Sequence, residues 1–163
     1  MPRLHLLRHG IAEADGEDPP LSERGALQME REARGLSRLG MTFDLILTSP
    51  MRRASQTAAI VASSLGLVGV TRPAEALRSG CRMEGLRGLL GQSRGAPPGD
   101  VLLVGHAPDL GRIAADLVGV RAPLSLRRGG MCCVEVASWP PSPPGTLVYL
   151  LPPEVLRALG DPV

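Results

Sequence analysis

The chain opens on a short apolar run, Leu4 to Leu7 with His5 inside it, that stops abruptly at Arg8-His9-Gly10. The run has the length of a buried strand. Its end places a cation, an imidazole and a glycine at the strand's C-terminal edge, where open α/β sheets put their ligand sites. The arrangement recurs. Phe43 to Leu47 reads as a second short strand, and Thr48-Ser49-Pro50 opens a helix with Ser49 at N-cap and Pro50 at its first position. Val101 to Val104 is the clearest buried strand; Gly105-His106 ends it, and Pro108-Asp109 opens a helix reaching Val118.

The other elements fit between these. Ser22 caps a helix whose expected apolar stripe is Leu27, Leu36 and Leu39 with Met29 and Ala33, ended by Gly40. The helix after Pro50 runs to about Leu65 and stops at Gly66. Val68 to Val70 reads as a short strand and Met83 to Leu90 as a helix, followed by a Gly/Pro-rich turn. Met131 to Ala137 and Leu147 to Leu151 read as a strand pair around a proline-rich loop, and Pro152-Pro153 precedes a short C-terminal helix. Strands that alternate with helices predict an α/β fold, a three-layer α/β/α sandwich around a mostly parallel central sheet. There is no internal repeat, and 1–163 is expected to be one domain with a core of its own.

Composition narrows the chemistry. All 18 basic side chains other than histidine are arginine, and the chain also lacks asparagine. Without lysine there is no Walker-type phosphate loop and no Schiff base. Both absences fit GC-rich coding, and the lack of asparagine fits a thermophile equally. The arginines are dispersed, and a single Phe, Tyr and Trp leave little to stack bases, so no nucleic-acid partner is expected. No run approaches the roughly 20 apolar residues of a membrane span, and Met1-Pro2-Arg3-Leu4 enters the first strand without a signal-peptide pattern. The expected address is cytoplasmic. Cys81, Cys132 and Cys133 lack CxxC spacing and nearby histidines, so they read as small buried apolar residues, and no metal or other cofactor is expected.

Three strand-to-helix junctions therefore carry matched chemistry: Arg8 and His9, then Ser49, Arg52 and Arg53, then His106. Arginines in the first turn of a helix oppose its dipole, which suggests that an anion sits nearby. A neutral imidazole can attack phosphorus, and a guanidinium can grip phosphate oxygens through two parallel hydrogen bonds.

Leu7-Arg8-His9-Gly10, Ser49-Pro50-Met51-Arg52-Arg53-Ala54-Ser55-Gln56-Thr57-Ala58 and Val104-Gly105-His106-Ala107-Pro108 resemble the three defining blocks of the histidine phosphatase superfamily, the phosphoglycerate-mutase-like fold, in the family's order. The short length, Pro20-Leu21-Ser22-Glu23-Arg24-Gly25 and the closing Leu150-Leu151-Pro152-Pro153-Glu154 resemble its SixA branch, the phosphohistidine phosphatases. The resemblance implies that His9 is the nucleophile that becomes phosphorylated and that Arg8, Arg53 and His106 form the phosphate pocket. The Arg-Ala-x-Gln-Thr pattern selects Arg53 over Arg52 and makes Gln56 and Thr57 structural. Ser49 adds a hydroxyl near the pocket.

Phosphoryl transfer needs positioning and charge stabilisation. His9 must be neutral to attack, whereas His106 should be protonated to stabilise charge, so their environments have to treat two similar rings differently. A backbone acceptor on one nitrogen of His9 would fix its tautomer. His5 is assigned to packing.

The chain departs from the superfamily at the acid. A glutamate often follows a Leu-x segment in mid-chain, but here Leu77-Arg78 is followed by Ser79. Glu84 is the nearest substitute, and Glu13 and Asp15 are further candidates. An imidazole leaving a phosphoramidate is protonated near neutral pH and departs without a strong general acid, whereas an alkoxide wants a proton. The expected activity is therefore a metal-free phosphatase, an RHG-motif hydrolase acting on protein phosphohistidine. The alternatives are a small-metabolite phosphomonoesterase of the same superfamily, or a phosphate- or phosphoprotein-binding module without chemistry. A mutase is disfavoured by the missing acid.

Overall fold

The computed structural model describes residues 1–92 and 95–163. Its strands form one six-stranded sheet: β1 (Arg3–Arg8), β2 (Leu45–Thr48), β3 (Thr71–Pro73), β4 (Asp100–Gly105), β5 (Met131–Val136) and β6 (Gly145–Leu151), in the order β3-β2-β4-β1-β5-β6. The pairs from β3 to β1 are parallel, and β5 and β6 are antiparallel. The helices are α1 (Glu23–Arg38), α2 (Arg52–Leu65), α3 (Met83–Leu90), α4 (Asp109–Val118) and α5 (Pro153–Gly160).

Side-chain alternation along the strands makes the layers. Leu4, Leu6 and Leu103 pack with Leu86, Leu90, Leu110 and Ile113, which places α3 and α4 on one face. Leu7, Ile46, Leu102 and Val104 pack with Met29, Leu36, Val61 and Leu156, which places α1, α2 and α5 on the other. The expected sandwich is the observed one. Among the described residues no helix is long and apolar enough to cross a membrane.

Several local expectations need correction. Leu27 and Leu39 are 56% and 48% exposed. The buried stripe of α1 is Met29, Glu32, Ala33 and Leu36, and Leu27 lies off it by helical phase. Val68 to Val70 is a 3₁₀ turn, because Ile46 to Thr48 of β2 pair with the three residues after it. The Phe43 strand begins at Leu45; Phe43 is buried but packs its ring against His5. Helix α2 starts at Arg52 with Met51 at N-cap, so Ser49 is not its cap. Asp18 supplies the missing acceptor: its Oδ1 takes the Arg52 backbone N–H at 2.9 Å, from 34 residues away. Cys132 and Cys133 are buried, but Cys81 is only partly so. Helix α3 matches the expected Met83 to Leu90. The turn expected after it includes positions 93 and 94, which lie outside the described residues.

Candidate active site

β2, β4 and β1 are neighbours in the sheet and run parallel, so their C-terminal ends open on one crevice. The ladder continues past the strands: the His9 N–H donates to the Gly105 carbonyl at 3.0 Å and the Ser49 N–H to the Val104 carbonyl at 2.9 Å. Arg8-His9, Ser49 and His106 are thereby brought together, as the sequence predicts.

His9 is 7% exposed. The Gly10 carbonyl, which can only accept, lies 2.7 Å from its Nδ1, so the proton sits on Nδ1 and Nε2 carries a lone pair. Arg53 Nε–H donates to that lone pair at 3.1 Å. Arg52, one residue earlier, is exposed. The register of α2 thus directs Arg53, and not Arg52, at the imidazole. Thr57 fixes the nearby backbone, taking the Gly10 N–H at 3.1 Å and donating to the Arg53 carbonyl at 2.7 Å. Gln56 takes the Leu21 N–H at 2.7 Å. Gly10 is needed for room more than for conformation: a Cβ there would lie 2.7 Å from Met29 Cγ.

The His106 ring stands 5.3 Å from that of His9, centroid to centroid, inclined by 60°. Its Nε2 lies 2.8 Å from Ser49 Oγ, and its buried Nδ1 has no hydrogen-bond partner among the described residues. Ser49 Oγ also takes the Met51 N–H at 3.3 Å. The hydroxyl proton can then go to Nε2, which leaves the ring proton on the unpartnered Nδ1. Arg8 donates through Nη1 to the Leu126 carbonyl at 3.0 Å, and its buried Nε is likewise unpartnered.

Both imidazoles are held at about 4. For His9 the largest cause is burial, opposed by the Gly10 carbonyl and reinforced by the charges of His106, Arg53 and Arg8. For His106 it is again burial, then Arg53, opposed by Asp109 and Asp18. The protein alone therefore keeps both rings neutral at pH 7. The protonation expected of His106 needs a further negative charge beside it, which a phosphate dianion supplies.

The acid candidates do not gather here. Glu84 is exposed on α3, and the depression it lines with Gly80, Arg82, Asp109 and Arg112 contains none of Arg8, His9, Arg53 and His106. Glu13 and Asp15 are exposed in the loop, and Ser79 is exposed in the turn after β3. The carboxylates whose charge acts on His106 are Asp109 and Asp18. Asp109 is already engaged, taking the Gly80 N–H at 2.8 Å.

Three features escape local reading. Asp18 sits in an acidic loop with Glu13, Asp15 and Glu17, but its role emerges only when the loop folds back on α2. The turn 126–130 is laced to the end of β1: Gly129 N–H donates to the Arg8 and His9 carbonyls at 3.0 and 3.2 Å, and Arg8 N–H donates to the Gly130 carbonyl at 3.0 Å. Arg127-Arg128-Gly129-Gly130 before a strand was its visible signal. Glu32, 1% exposed, lies beneath this turn; a Cβ on Gly129 would come within 2.4 Å of its Oε2. Arg157 donates to Glu32 Oε1 at 3.0 Å, yet burial outweighs that partner and pushes the carboxyl up to about 8.

Comparison with known proteins gives the family and the fold. The family model of the histidine phosphatase superfamily (branch 1) matches residues 4–87. An uncharacterized protein of Picosynechococcus sp. is 38% identical over 121 residues, 68% of this chain and 70% of that protein. A 2,3-bisphosphoglycerate-dependent phosphoglycerate mutase of Methylobacterium radiotolerans is 39% identical over 71 residues, covering 39% of this chain and 34% of the mutase. Among solved structures, the protein histidine phosphatase SixA complexed with tungstate superposes with a TM-score of 0.80 at 22% identity, over 94% of this chain and 99% of that one.

Proposed function

The chain belongs to branch 1 of the histidine phosphatase superfamily, and from that premise we propose that it is a phosphatase of protein phosphohistidine acting through a phosphorylated His9. The observation that carries this reading is the state of His9: its Nδ1 proton is held by the Gly10 carbonyl, and its Nε2 keeps a lone pair, which meets the Arg53 guanidinium.

The steps follow from the groups present. His9 Nε2 attacks the substrate phosphorus as the substrate's P–N bond breaks. The departing imidazole, protonated on its other nitrogen, leaves neutral. The positive charge gained by the His9 ring is shared with the Gly10 carbonyl through Nδ1–H. Arg8 and Arg53 hold the equatorial oxygens, and His106 offers its Nδ1 proton to a third. Ser49 orients His106. Water then attacks the phosphorus, the P–Nε2 bond breaks, inorganic phosphate leaves and His9 returns to its neutral form.

The leaving group supports phosphohistidine over an alkyl ester. Ser79 stands where an acid would be expected, and Glu84 faces a different depression. A second reading, a small-metabolite phosphomonoesterase, is favoured by one observation: the charge of Asp18 acts on His106, which makes that carboxyl a candidate acid. The pairing of a tautomer-fixed nucleophile with His106 speaks against a module that only binds.

Turnover of a phosphohistidine peptide, nitrophenyl phosphate and glycerol phosphate decides between these readings. Phosphohistidine and nitrophenyl phosphate should be cleaved much faster than the alkyl ester, with an acid-labile phosphoryl group trapped on His9. Chelation should leave the rate unchanged. Alkyl esters cleaved as fast as phosphohistidine would favour the metabolite reading, and loss of activity to EDTA, restored by divalent ions, would overturn the metal-free mechanism.

A further inference from the structure

The turn 126–130 brings two more arginines to the nucleophile's backbone. Gly129 and Gly130 are tied to Arg8 and His9 by main-chain hydrogen bonds, and the Leu126 carbonyl takes Arg8 Nη1. The two arginines between these anchors differ. Arg127 is paired with Glu154 of α5. Arg128 is exposed and, among the described residues, has no carboxylate within ion-pair distance. Its charge nonetheless reaches Arg8, where it adds to burial in lowering that guanidinium below its ordinary value. Arg8 is itself without a carboxylate partner, and its buried Nε is unsatisfied.

Arg128 therefore stands on a turn bonded to the backbone of Arg8 and His9, and neither arginine is ion-paired among the described residues. An anion bound there would be attracted by both charges. The phosphoryl group at His9 accounts for Arg8 and Arg53. It does not account for Arg128, which is exposed and one residue from the glycine that holds the nucleophile's carbonyl.

We propose that Arg128 is a specificity-determining residue that binds a second anionic group of the substrate, a carboxylate beside the phosphohistidine on the partner protein. This rests on the function proposed above and deepens it. A carboxylate on a small phosphorylated metabolite has the same chemistry, so the test must separate the two sources.

The experiment measures kcat/KM for two phosphohistidine peptides, one flanked by glutamates and one by alanines. A pair of phosphomonoesters, with and without a carboxylate on the adjacent carbon, forms the second arm. Wild type should prefer the acidic peptide, and salt should erode the preference. Arg128→Ala should raise KM for the acidic peptide about five-fold, leave kcat unchanged and leave the neutral peptide unaffected. Arg128→Glu should reverse the preference, lowering kcat/KM for the acidic peptide about ten-fold. Arg128→Lys should retain most of it. Arg127→Ala, which removes the ion-paired arginine of the same turn, should not alter the ratio. If wild type prefers the acidic peptide and both Arg128→Ala and Arg128→Glu keep that preference, or if they lose both peptides equally, the inference fails while the phosphohistidine reading stands. If only the carboxylated ester is turned over, and Arg128 governs it, the protein substrate is wrong and the anion subsite is right.

Discussion

His5, inside β1, and His9, just past its end, are both nearly sealed from solvent, at 4% and 7% exposure. Their partners differ. His5 Nδ1 meets Tyr149 Oη at 2.5 Å and Nε2 meets Asp100 Oδ1 at 2.6 Å, with Phe43 against the ring. Both nitrogens are committed to other strands, so the ring ties β1 to β4 and β6. His9 commits only Nδ1, and to a carbonyl of its own loop; Nε2 meets a cation. His106 repeats the pattern, with one nitrogen on Ser49 and the other free. Burial alone does not mark the reactive end of this sheet. What sets these two rings apart from His5 is a nitrogen not tied into the sheet: His9 Nε2 meets only a guanidinium, and His106 Nδ1 has no partner among the described residues.

The largest test of this contrast is to delete each histidine in turn. His9→Ala should cost on the order of 10³-fold or more in turnover, because the nucleophile is removed and no neighbour can replace it. Its melting temperature should stay close to wild type, since the ring's bond to another element comes from Arg53 of α2, a guanidinium that is only partly buried and can turn to water. A folded and fully active variant would remove His9 from the mechanism.

Next in size is the pair of adjacent arginines. Arg53→Ala removes the guanidinium that donates to His9 Nε2 and should lower kcat/KM about 10²-fold. Arg52→Ala removes an exposed side chain whose backbone N–H, not its charge, is what Asp18 uses. It should change the rate by no more than about two-fold. Equal losses would mean that the register of α2 does not set the pocket.

That register was legible from the chain, and so was most of the frame. The apolar runs at β1 and β4 and the helix at Met83–Leu90 are written in local pattern, and chemically matched residues at successive strand ends point to one crevice. The parts that escaped depend on distant partners. Ser49 looks like a cap because Ser-Pro is a good local start. The fold spends its hydroxyl on His106 and brings Asp18 to the helix instead. His5 looks like packing until β4 and β6 arrive with Asp100 and Tyr149. Glu32 looks like a solvated helix face, but α5 and the 126–130 turn close over it.

His5→Ala probes the other end of the strand. It should leave the activity of folded protein unchanged and destabilise the fold by about 2–3 kcal/mol, as Tyr149 and Asp100 lose their partner. A catalytic defect without loss of stability would erase the distinction drawn between the two ends.

The pH dependence of stability sharpens the same contrast at a smaller scale. His9 and His106 are held at about 4, below their ordinary value of 6.5, so protons bind the unfolded chain more readily. Their contribution is complete above pH 6.5 and is lost as pH falls toward 4. Glu32, raised to about 8 from 4.5, has the opposite slope: its contribution is complete below 4.5 and is lost as pH rises through 8. Melting temperatures measured across pH should fall on both sides. His9→Ala combined with His106→Ala should flatten the acid side, and Glu32→Gln the alkaline side.

The smallest effect is expected at Glu84. A general acid has to reach the leaving atom, within about 3 Å or through one water. Glu84 is exposed at the start of α3 and shares its depression with Arg82 and Arg112, away from the imidazoles. Asp18 is the alternative, since its charge acts on His106 although one of its oxygens takes the Arg52 N–H. Glu84→Gln should therefore be silent on phosphohistidine and on alkyl phosphates alike, whereas Asp18→Asn should lower only the slow alkyl reaction. The Asp18 variant also loses part of a helix cap, about 1 kcal/mol by the usual cost of such a change, so its rates must be read at a temperature where it is folded. If Glu84→Gln selectively abolished alkyl ester hydrolysis, α3 would have to move over the crevice during turnover. The catalytic end of the sheet would then extend beyond the three strand edges that define it here.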